Sequence, residues 1–145
     1  MTLPIQIFII LLASGIMLIA AEIFLPGGVL GLIGIPLPGV EVGIALSAVV
    51  LGALVLGRVR LPLAVAVIVV ACFAVFHGHA HGTELEAGQN AMLYSLGFVI
   101  ATGLLHGVGI TIGLIQRWGP GAQVLRGAGA LVMAAGLYFL WGAAA

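Results

Sequence analysis

Apolar runs separated by short polar or turn-rich breaks recur along this chain from end to end, and their lengths predict its elements. Residues 3–25 form the first run, interrupted only by Pro4, Gln6, Ser14, Gly15 and Glu22. A hydrocarbon core needs about 20 helical residues, so the run is long enough to cross one. No Lys or Arg precedes it, it is longer than a signal-peptide core, and Ala20-Ala21 is a weak cleavage site, so it is expected to remain as a first span. Pro26-Gly27-Gly28 and Pro36-Leu37-Pro38-Gly39 bracket an apolar piece at 29–35 that is too short to span and reads as a turn or re-entrant region. Further spans are expected at 42–56, 61–78, 91–115 and 124–141. In the second, Gly43 with Ser47 and Ala48 with Gly52 stand at small-x-x-x-small spacing, which predicts a close helix contact. The third opens with Pro62 near its first position, where a missing N–H costs little. Its apolar part, 61–76, rises only about 24 Å, so the helix should continue into the residues that follow. The pattern predicts an all-α, polytopic integral membrane protein with about five transmembrane helices in one domain.

Composition supports a bilayer setting. Hydrophobic residues make up 63% of the 145 and charged residues 6%, against about a quarter charged in a soluble domain. The 23 glycines fit transmembrane helices, which use Gly at their contacts. Formal net charge is zero with no basic stripe, which argues against a nucleic-acid partner. Cys72, the only cysteine, has no partner in the chain for a disulfide and is expected to pack as a small apolar side chain.

Against this background one stretch stands out: Phe76-His77-Gly78-His79-Ala80-His81-Gly82-Thr83-Glu84 holds three of the four histidines and one of the four acidic residues. On a helix, His77, His81 and Glu84 fall at i, i+4 and i+7 on one face. On an extended chain, His77, His79 and His81 share a side and Glu84 closes the turn. Either backbone converges ligands, and imidazole with carboxylate suits nickel, cobalt or zinc. Gly78 and Gly82 also allow another backbone to approach. The plainer reading is that these histidines decorate a membrane interface. His106 falls about 22 Å of helical rise beyond residue 91, inside the bilayer, where an ionisable group is a functional candidate. The alternative is a neutral His bonded to a neighbouring helix, and Gly103 and Gly107 beside it predict that it faces protein. Glu41 follows a turn at an expected helix N-terminus, which favours a carboxylate without further function.

With five alternating spans, Arg58, Arg60, Arg117 and Arg126, the only basic residues, share one side, which the positive-inside rule makes cytoplasmic. The N-terminus is then cytoplasmic. Glu41, the histidine cluster, Glu84 and Glu86 share the outer side, with Glu22 near it. Such a mouth would attract a divalent cation, and His106 lies further along a path inward.

The motif 76–84 resembles the signature of the HupE/UreJ membrane proteins, and Pro36-Leu37-Pro38-Gly39-Val40-Glu41 with Gly43-Ile44-Ala45 resembles the approach to that family's second motif. The likeness runs from about residue 31 to the C-terminus. It implies nickel, or cobalt, uptake across the bacterial inner membrane in support of hydrogenase or urease maturation, with no resident cofactor. By motif position it makes Glu41, His81 and Glu84 the leading ligands, beside His77, His79 and His106. The family carries an upstream His-rich motif with an Asp-His pair, and no His or Asp precedes His77 here. Residues 16–34 resemble instead the opening of NfeD-type membrane proteins. The leading expectation is a small secondary metal permease. The alternative is a truncated permease or a non-transporting metal-binding subunit. An intramembrane hydrolase is disfavoured, since the chain has no His-Glu-x-x-His, Ser/Lys or paired-Asp arrangement. Five short helices leave little interior for a closed path, which is compatible with a homo-oligomer.

Overall fold

The computed structural model describes residues 26–86, 88–117 and 119–145. The expected first span at 3–25, with Glu22, lies outside the described residues, as does Trp118. The described chain is helical: α1 (Pro26–Leu32), α2 (Val40–Gly57), α3 (Leu63–Thr83), α4 (Ala91–Gly113) with a 3₁₀ turn at Leu114–Arg117, and α5 (Gly121–Ala144). Helices α2 to α5 are each 18 to 24 residues long and apolar enough to cross a membrane. Among the described residues only Ala45 and Ala74 are buried apolar side chains, while large aliphatic and aromatic residues such as Leu63, Met92, Leu131 and Trp141 are exposed. In water that distribution would be untenable. Hydrocarbon makes it the stable one, because each helix satisfies its own backbone hydrogen bonds.

The stretch at 29–35 is more regular than a turn. Pro26 occupies the first position of α1, where its fixed φ favours a helix. The helix closes at Gly34, whose φ of 73° lets Ile35 N–H donate to Leu30 C=O at 2.9 Å and Gly34 N–H to Gly31 C=O at 3.1 Å. Pro36 then prevents any continuation.

Glycines set the close contacts. A Cβ built on Gly82 would stand 2.5 Å from the Gly28 carbonyl oxygen, so α1 and α3 meet backbone to backbone. Gly43 of α2 receives the ring of Phe76 from α3. Along α2 and α5, Gly52 faces Gly129 and Met133, while Gly136 faces Ala48 and Val49, an antiparallel pair. At one end of that pair the Arg126 guanidinium donates from Nε to the Leu56 carbonyl at 3.1 Å, which occupies a carbonyl of the last turn of α2. Arg126→Met is expected to lower stability by about 1 kcal/mol, read as an earlier unfolding midpoint in detergent. An unchanged midpoint would show that water replaces the guanidinium without cost.

Candidate metal-binding site at the histidine end of the bundle

Helix α3 runs through the histidine motif to Thr83, and this decides between the two backbones considered for it. The extended arrangement, with His77, His79 and His81 on one side, does not occur. A helix turns about 200° over two residues, so His79 points away from its two neighbours. Its ring is buried, 6% exposed, and Nε2–H donates to the Ile35 carbonyl at 2.9 Å, fastening the loop after α1 to α3.

His81 and Glu84 come together. Nδ1–H of His81 donates to Glu84 Oε2 at 2.9 Å. Glu84 lies just past the helix, where it is the C-cap, and its carboxylate folds back over the last turn. His77, one turn earlier, donates from Nδ1 to the Phe73 carbonyl at 3.3 Å. Each of these three histidines has one ring nitrogen engaged by a carbonyl or carboxylate. In a neutral imidazole the other nitrogen then carries the lone pair, the tautomer in which imidazole binds a metal, with the first contact serving to orient the ring.

Two further side chains hold His81, and motif reading alone did not single them out. Tyr94 O–H donates to the His81 carbonyl at 3.1 Å and reaches Glu84 Oε2 at 3.4 Å. Phe98, one turn on, lays its ring at a centroid distance of 4.7 Å from the imidazole. Both project from the start of α4, which Asn90 caps by accepting hydrogen bonds from the N–H groups of Met92 and Leu93. The signal available in sequence was Tyr94 and Phe98 at i, i+4 directly after the polar loop, but nothing local tells which helix they face.

The remaining candidates are more scattered. Glu41 sits in the first turn of α2, after Gly39 in the left-handed region at φ 75°, and is exposed. It lines, with His79 and Glu84, an open groove of about 550 Å³. His106 donates from Nδ1 to the Thr102 carbonyl at 3.0 Å and is exposed on α4. The expectation that it faces protein is therefore corrected: Gly103 beside it is buried, but α4 engages α3 through Tyr94 and Phe98, near its start. Among the described residues no three His, Cys, Asp or Glu side chains converge closely enough to hold one metal ion. The structure thus unites His81 with Glu84, sets Glu41 and His79 on a groove that Glu84 shares, and leaves His77 and His106 apart.

The geometry is that of a multi-pass helical membrane protein with an imidazole–carboxylate pair at one polar end. The profile of the HupE / UreJ protein family matches residues 6–139. The chain belongs to that family. Protein HupE of Rhizobium leguminosarum bv. viciae is 47% identical over 116 residues, which is 80% of this chain and 61% of that protein. The chain therefore spans about three-fifths of the length of this curated relative. The family match begins well before residue 31, where the motif likeness starts, and neither match bears on the NfeD-type likeness of residues 16–34. No solved structure matches the chain.

Proposed function

We propose that this chain is a secondary permease for a divalent transition metal, nickel or cobalt, that supplies hydrogenase or urease maturation from the bacterial inner membrane. The observation that carries the reading is the His81–Glu84 pair, clasped by Tyr94 and Phe98 at the helix end where Glu41 and His79 also lie. A carboxylate-oriented imidazole is a ligand for borderline ions and a poor one for magnesium or calcium. The bundle end that carries it would face outward, with the N-terminus cytoplasmic, and His106 would help to pass the ion inward. Oligomerisation would complete the path, with no enzymatic step and no resident cofactor. A second reading, a binding subunit without flux, draws on the absence of a converged three-ligand group among the described residues. Radioactive nickel uptake into cells lacking their own nickel importers tests both: saturable uptake supports the permease, and nickel bound by the purified chain without uptake supports the subunit.

Imidazole must be neutral to bind a metal, so affinity should fall as the medium is acidified. Equilibrium nickel titration of the purified chain between about pH 5 and 8 checks this. A flat profile would assign the ion to carboxylates alone.

A further inference from the structure

The end of the bundle opposite the His81–Glu84 pair holds a cavity that the metal reading does not use. It measures about 600 Å³ and lies between the C-terminal ends of α2 and α4 and the start of α5. Leu54, Val55, Ile112 and Leu125 supply apolar walls, and Arg58 and Arg60 line the same space. The apolar walls would not be stably filled by water, and the two charges have no counter-ion among the described residues. Among the described residues no carboxylate lies within ion-pair distance of Arg58 or Arg60, and both arginines are exposed.

The position of Arg58 is held by its backbone. It is the only described non-glycine residue with positive φ, at 54°, and as the cap of α2 its N–H donates to the Val55 carbonyl at 3.1 Å, while Val59 N–H reaches Leu54 C=O at 2.9 Å. Glycine takes such a cap without steric cost, yet the chain carries arginine there. On the α4 wall, a Cβ built on Gly109 or Gly113 meets nothing within 4 Å among the described residues.

The chain's own residues 1–25 could supply apolar cover but no counter-charge at this end. Their single acid is Glu22, which the alternation of spans assigns to the opposite side. A ligand with a phosphate at the interface and hydrocarbon below it meets both requirements. Guanidinium groups pair with phosphate through parallel N–H donors, and basic pockets between transmembrane helices recognise anionic headgroups.

We propose that this cavity binds an anionic glycerophospholipid, its phosphate on Arg58 and Arg60 and one acyl chain along α2, α4 and α5. The test titrates the purified full chain in neutral detergent with phosphatidylglycerol or phosphatidylcholine and counts bound lipid by native mass spectrometry. Phosphatidylglycerol is expected to be retained over phosphatidylcholine. An Arg58→Gly, Arg60→Gln variant, in which glycine preserves the left-handed cap, should lose about fivefold in that preference per arginine, about 25-fold in all. A Gly109→Leu, Gly113→Leu variant fills the space without changing charge and should weaken phosphatidylglycerol retention as well. Loss in the arginine variant alone would reduce the effect to diffuse surface attraction and overturn the site. Displacement of the lipid by inorganic phosphate at equal concentration would overturn the lipid in favour of a free anion. Unchanged retention in both variants would overturn it outright.

Discussion

Cells that express a His81→Ala, Glu84→Ala double variant are expected to take up nickel no faster than cells without the protein, at equal membrane abundance. The expectation follows from how the pair is built. Glu84 accepts from Nδ1–H of His81 at 2.9 Å, which fixes the ring and leaves Nε2 as the nitrogen available to a metal. On the proposed function, removing both groups would take away a ligand, its orienting partner and a negative charge that attracts the cation. The single variants separate these contributions. Glu84→Ala leaves His81 unoriented and should weaken nickel affinity about 10–100-fold, the usual loss when an outer-shell partner is removed. Glu84→Gln keeps an oxygen that accepts the Nδ1–H bond but loses the charge, so its affinity should fall between wild type and Glu84→Ala. If Glu84→Gln matched Glu84→Ala, charge rather than ring orientation would govern capture. Wild-type uptake by the double variant would place capture elsewhere in the chain.

The second large effect concerns packing. Gly52→Leu should separate α2 from α5 and prevent a stable fold, while Gly127→Leu on the same α5 should change little. A Cβ on Gly52 would lie 2.5 Å from Met133 N and 2.8 Å from Gly129 O, both backbone atoms that cannot rotate aside. Around a Cβ at Gly127 nothing stands within 4 Å among the described residues. Overpacking a fitted contact costs typically about 1–3 kcal/mol. Here the contact is backbone on backbone and hydrophobic collapse adds no driving force between helices in lipid, so the loss should reach the upper part of that range or exceed it. Unfolding in increasing proportions of denaturing detergent would read the difference. Equal midpoints for the two variants would show that α2 and α5 can move apart without loss, and that the glycine contact does not hold the bundle.

Much of the architecture was legible in the chain itself, for a reason specific to membranes. Bilayer thickness sets the length of an element, and the absence of water forces its backbone into a helix, so apolar run length alone predicts helices across 42–56, 61–78 and 91–115. The polar stretch at 76–84 was equally plain, because a charge or imidazole is conspicuous where only 6% of residues are charged. Its likeness to the family motif then pointed to the family that the profile over residues 6–139 establishes.

Which residues meet was a different matter. The 3.6-residue period assigns a side chain to a face but does not say what that face touches. His79 is fixed by a carbonyl 44 residues away, Arg126 donates to one 70 residues away, and Tyr94 reaches back 13 residues to the turn that holds His81. His106 shows the reverse case, a residue whose neighbouring glycines suggested a protein contact but which is exposed on α4. The sequence by itself determined the helical membrane class, the rough placing of its helices, the polar cluster and the family likeness, because length and polarity are local properties. The tertiary structure alone decided that Tyr94 and Phe98 close over the His81–Glu84 pair, that His79 is fastened to the loop after α1, and that α4 and α5 wall the space beside Arg58 and Arg60. Those outcomes depend on how distant helices are brought together, and no short window of the chain contains both partners of such a contact.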